Sequence, residues 1–100
     1  MPHIDLIEAF DKFDKDYNDF HLIENPVSNS PDLCAFILLD KLVPAPKLKN
    51  DIVSSAEHDI IYLGTDCVKL AEVATEEDIL YLRRCGVMYD TSFDCLAMFV

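Results

Sequence analysis

The chain is expected to fold as a single α+β domain: a small, mostly antiparallel sheet of about three strands, packed against two N-terminal helices and one helix from its second half. Three observations lead there. Half of the 100 residues are apolar (51%) and only two are glycine, so there is enough side-chain material for one core. Apolar residues recur at steps of three and four over residues 4–20, and Leu33 to Val43 is apolar nearly all round. After that they gather into short runs bounded by glycine and polar turns, which is how strands read.

Residues 4–20 are predicted to form an amphipathic helix. Leu6, Ile7, Phe10, Phe13, Tyr17 and Phe20 share one face, with Asp5, Glu8, Lys12, Lys15, Asp16 and Asp19 opposite. Glu8–Lys12 and Asp11–Lys15 are spaced four apart in the favourable order, each pair worth about 0.2–0.5 kcal/mol. Residues 25–30 form a turn-rich connection. Ser30-Pro31-Asp32 then looks like a helix start, with a capping hydroxyl, proline at the first helical position and an acid near the positive dipole end. Leu33 to Val43 is apolar nearly all round, as expected of a helix buried on most sides at the centre of the core. Pro44 and Pro46 end it, and residues 47–51 form a short loop holding Lys47 and Lys49.

In the second half, His58 to Leu63 suits a strand closed by Gly64. Thr65-Asp66 opens a short helix over 66–73. Thr75-Glu76-Glu77-Asp78 is a stronger start signal, and the helix it opens runs through Ile79, Leu82 and Cys85 to Gly86. Val87–Tyr89 and Cys95–Val100 read as a β-hairpin around Asp90-Thr91-Ser92. Its second strand is apolar on both faces, so it is expected inside the sheet with helices covering it.

Charge bounds the function more tightly than any motif. With 19 acidic and 8 basic residues the chain carries a net charge of −11. Bare nucleic acid and anionic membranes are disfavoured as partners, and basic protein surfaces are favoured. The acids concentrate in residues 1–25 and in the second half; the stretch between is close to neutral. The candidate partner-binding carboxylates are Asp5, Glu8, Asp16, Asp19, Glu57, Asp59, Asp66, Glu72, Glu76 and Glu77. Tyr62, Tyr81 and Tyr89 could add amphipathic contacts or simply pack in the core.

No catalytic motif is present, and no enzymatic activity, cofactor or metal is expected. Glu57-His58-Asp59 is the densest titratable cluster, but neighbouring strand residues point to opposite faces and His3 and His21 lie far off in sequence. Cys85 with His58 and Asp59 lacks the local sequence of a nucleophile site. The four cysteines (34, 67, 85 and 95) have irregular spacing, and the charged N-terminus does not read as a secretory signal, which suits free thiols in a cytoplasmic protein. Arg83-Arg84 complements the dipole at a helix end. An alternative places the pair as an anion site at the seam of a homo-oligomer that sequesters a small signalling nucleotide. A third possibility is an assembly or regulatory adaptor.

The block Ala71-Glu72-Val73-Ala74-Thr75-Glu76-Glu77-Asp78-Ile79-Leu80-Tyr81-Leu82, continued by Arg83-Arg84-Cys85-Gly86-Val87, resembles small acidic phage-encoded proteins. The likeness covers about the last third of the chain and transfers no functional residue. It implies an anti-defence role of the anti-CRISPR or anti-restriction type, exerted in the cytoplasm of a host cell. The leading expectation is therefore a non-enzymatic inhibitor, a DNA mimic that occupies the basic, nucleic-acid-binding surface of a host defence protein.

Overall fold

The computed structural model describes residues 5–44, 53–57 and 59–99. The predicted basic loop at 47–51, Pro46, His58 and His3 lie outside them. Four helices and four strands follow in the order α1 (Leu6–Lys12), α2 (Pro31–Leu42), β1 (Val53–Glu57), β2 (Ile60–Leu63), α3 (Cys67–Val73), α4 (Glu76–Arg84), β3 (Val87–Asp90) and β4 (Cys95–Phe99). The sheet is antiparallel throughout, in the order β1-β2-β4-β3. The class is α+β, with one strand more than the sequence indicated. That strand, β1, has the composition Val-Ser-Ser-Ala-Glu, which carries no alternating apolar signal.

Register divides the sheet into two faces. Val53, Ile61, Leu63, Leu96, Met98, Val87 and Tyr89 are cross-strand neighbours and pack into the core with the helices. Against them sit Leu6, Ala9 and Phe10 of α1, Leu70 of α3 and Ile79 and Leu82 of α4. The apolar centre of β4 was expected to be covered on both sides. β4 is indeed an interior strand, but Ala97, though buried, is not part of that core cluster. It lies on the second face with Ile60, Tyr62, Met88 and Phe99.

Two helical expectations are corrected. The helix read over 4–20 ends at Lys12, and the chain continues through two 3₁₀ turns, Asp14–Asp16 and Phe20–Leu22. The cause is Arg83 of α4. Its Nε donates to the Phe10 carbonyl at 3.0 Å, taking an acceptor in the last turn of α1. Asn18 then turns to a positive φ of 61° and donates its N–H to the Arg83 carbonyl at 2.9 Å. Asp11 and Lys15 therefore do not share a helix, and Lys12 reaches Glu76 at 2.9 Å instead. The other correction concerns α2. It fully buries Cys34, Ala35 and Leu39 and packs Phe36, Leu38 and Leu42 part-buried against the core, leaving Leu33 and Ile37 46% and 43% exposed. It is an outer helix laid against α4, and α4 is the central one. Ser30 stands at its N-cap position, but the hydroxyl makes no capping bond.

The second-half signals hold. Asp66 caps α3, and Thr75 with Asp78 forms the capping box of α4. Gly86 follows the α4 cap with φ of +97°, where a Cβ would meet Asn18 Oδ1 at 3.3 Å.

Candidate functional site

Besides α2, which carries Asp32 in its first turn, the three other helices each begin with a carboxylate close to their first turn. Asp5 Oδ1 accepts the Glu8 N–H at 3.1 Å, and Asp66 Oδ1 accepts Val68 and Lys69 N–H at 3.0 and 3.2 Å. Glu76, Glu77 and Asp78 fill the first turn of α4. The positive end of each helix dipole favours these acids, and a cap bond replaces one unmet backbone donor. The fold then brings these helix starts to one side of the molecule.

Two shallow grooves adjoin there. One, of about 570 Å³, is lined by Asp5, Glu8, Ala9, Asp11, Lys12 and Glu76. The other, of about 630 Å³, lies between the start of α1, the start of α3 and the β3–β4 turn, and is lined among others by Asp66, Cys67, Tyr89 and Asp94. Asp5 lines both. Among the described residues, six carboxylates thus meet a single lysine, and that lysine is already bonded to Glu76.

Of the expected carboxylates, the structure brings together Asp5, Glu8, Asp66 and Glu76. Sequence reasoning passed over Asp11 and Asp94. Asp11 was legible, three residues after Glu8 on the same helix; Asp94 was not, because only the strand register carries its turn to the start of α3. Glu72 and Glu77 are exposed but line neither groove. Asp16 is turned toward Arg84 at 3.5 Å, and Asp19 is half-buried before the second 3₁₀ turn. Asp59 is exposed at the far end of β2 from Asp66, and Glu57 pairs with Ile60 at that same end.

Arg83 does not fit the alternative anion site. It is only 7% exposed, and besides Phe10 it donates to the Val87 carbonyl at 3.4 Å and to Asp14 Oδ1 at 2.8 Å. Its guanidinium also lies 5.5 and 5.6 Å from the ring centroids of Phe10 and Tyr17. Arg84 is half-buried against Asp16, and its unpartnered Nε is buried rather than presented to solvent.

The cysteines are free thiols. Burial, the neighbouring Cys95 and the charges of Asp66 and Asp94 push Cys67 up to about 11. Burial and Cys34 push Cys85 up to about 12. Both stay protonated at neutral pH, which removes the thiolate that nucleophilic chemistry needs. Among the described residues no group of three or more His, Cys, Asp or Glu side chains could hold a metal ion, and no helix is long and apolar enough to cross a membrane. What the grooves can do chemically is attract and orient cations at a rigid, carboxylate-lined surface. No protein-family model, curated protein or solved structure gives a significant match to this chain.

Proposed function

We propose that the chain is a non-enzymatic inhibitor that uses its acidic grooves to occupy a basic, nucleic-acid-binding surface of a host defence protein. The observation that carries the reading is the meeting of Asp5, Glu8, Asp11, Glu76, Asp66 and Asp94 around two adjoining grooves, with Lys12 as the one lining cation among the described residues. Carboxylates there take the places of phosphates before a lysine- or arginine-rich channel, and the long-range field of a −11 chain speeds the encounter. The defence setting rests on the resemblance of the 71–87 block to small acidic phage-encoded proteins. A nucleotide sponge is less favoured, because the Arg83 guanidinium is held internally.

The test begins with capture of the partner from a host lysate. Its affinity is then measured across NaCl concentrations and against competing duplex DNA. Binding should weaken by about tenfold or more between about 0.05 and 0.2 M salt, and DNA should compete. Affinity that is flat with salt, or a ternary complex with DNA, rejects the reading.

A further inference from the structure

The two acidic grooves differ in what lies beneath their charge. Among the described residues, the groove of about 570 Å³ has Ala9 as its single apolar lining residue, and it already holds Lys12. The groove of about 630 Å³ has an apolar bed instead. Leu6 lines it as a buried residue, with Ala71 and Tyr89 part-buried beside it. Ile7 of α1 and Val68 of α3 line it as well, 47% and 67% exposed. Single exposed aliphatic side chains are ordinary on a surface, but these two border one concavity.

The charge around that bed has one sign. Asp5, Asp66 and Asp94 line the groove, and among the described residues no lysine or arginine does. We infer that this groove anchors one arginine side chain of the basic partner, its methylenes against Ile7 and Val68 and its guanidinium among the three carboxylates. The inference rests on the inhibitor reading and names the side chain by which the partner is held.

Charge complementarity makes the guest a cation, and the bed selects which cation. A lysine ammonium is a compact, strongly hydrated charge that is costly to bring against apolar walls. A guanidinium is planar and weakly hydrated, stacks on aromatic rings, and carries enough donors to bridge carboxylates on separate elements. Tyr89 supplies the ring, and its hydroxyl donates to Asp94, which ties ring and carboxylate together. Asp5 and Asp66 each use Oδ1 in a helix cap, so both side chains are held in place. A carboxylate also accepts at its second oxygen, which serves the guest. An anion would be repelled, and a wholly apolar guest would strip water from three carboxylates without replacing it. The groove of about 570 Å³ and the net charge then hasten encounter, while the groove of about 630 Å³ slows escape.

An NMR titration of the isotope-labelled full chain tests this, using the blocked tripeptide glycyl-arginyl-glycine and its lysine counterpart at constant ionic strength. The amides of Leu6, Val68, Ala71 and Asp94 should shift saturably, and the arginine peptide should bind about threefold or more tighter than the lysine one. Asp66→Asn with Asp94→Asn should weaken the arginine peptide about tenfold or more. Asparagine keeps the cap at position 66 and tolerates the positive φ of 49° at position 94, and circular-dichroism melts confirm the fold. Glu8→Gln with Asp11→Asn, in the other groove, should change peptide binding by less than about twofold. Val68→Ser leaves every charge in place and should weaken the captured partner about fivefold or more, with its salt dependence unchanged. The absence of saturable shifts, equal binding of the two peptides, or a partner affinity indifferent to Val68→Ser overturns the inference. None of these results touches the salt and DNA-competition outcomes on which the inhibitor reading stands, so the two fail separately.

Discussion

Replacing Arg83 with Met is the most severe single change that the structure identifies on its polar side. Arg83 joins α1, the first 3₁₀ turn, α4 and β3 through one guanidinium. Arg83→Met strands the Phe10 carbonyl in the interior, at about 1–3 kcal/mol. Loss of the two ring contacts, to Phe10 and Tyr17, adds about 0.5–1 kcal/mol each. The ion pair itself contributes little, about 0.5 kcal/mol, because the Asp14 side chain is 76% exposed and water replaces its partner. The sum is about 4 kcal/mol, or roughly 16–32 °C in Tm for a domain of this size. Urea unfolding at pH 7 measures it directly. Arg83→Lys should recover less than half, since an ammonium cannot reproduce the planar fork. Asp14→Ala should cost well under 1 kcal/mol. The account fails if Arg83→Met costs below about 1 kcal/mol, or if Asp14→Ala costs as much as Arg83→Met.

Thr75→Ala removes the hydroxyl that accepts the Asp78 N–H at 3.2 Å and should destabilise by about 1 kcal/mol in urea unfolding. Cys67 and Cys85 have folded-state values raised to about 11 and 12 from 9.0. Their protonated forms are the ones that the fold favours, so their contribution is intact below pH 9 and is lost as pH rises through 11 and 12. A pH series of melts should show stability falling on the alkaline side, less so in Cys85→Ala. Thiol labelling of the folded chain near pH 8 should be slow at both residues and fast in urea. Glu8→Gln with Asp11→Asn, neither of which caps a helix, should lower the association rate with a basic partner while Tm holds or rises.

How much of this was legible in the sequence differs by element. α4 was read closely because its signals are local: Thr75 and Asp78 cap it, and Gly86 follows it. α1 was overextended because periodicity through Phe20 says nothing of an arginine 73 residues away taking the Phe10 carbonyl. α2 was misplaced for a related reason. An all-apolar circumference indicates burial, but not how many neighbours the topology can supply. β1 is a strand by pairing, with Val53 opposite Leu63 and Ala56 opposite Ile61, and its own residues give no period-two signal. For the site, local sequence found the helix-start acids Asp5, Asp66 and Glu76. It could not tell that Asp16 faces Arg84, because that contact exists only after α4 docks.

The acidic excess has two components that can be pulled apart. Asp5, Asp66 and Asp78 accept backbone N–H or complete a capping box, so part of the charge is the local chemistry of short helices. Yet Asp5 and Asp66 also line the grooves, and a capped carboxylate is held in one rotamer. The proposed binding surface is then preorganised, so that a partner landing there would lose little entropy in ordering it. Asparagine caps as well as aspartate but carries no charge, so Asp5→Asn with Asp66→Asn separates the two roles. Losing the dipole term costs about 0.3–1 kcal/mol per site, and relief of repulsion among neighbouring acids offsets it. Tm should therefore change little, whereas Asp5→Ala with Asp66→Ala should cost about 1 kcal/mol per cap. The Asn pair should nonetheless slow association with a basic protein and flatten its salt dependence. If the Asn and Ala pairs destabilise equally, the carboxylates are held there by charge and not by capping. If the Asn pair binds as fast as the parent chain, the grooves are not where the partner lands.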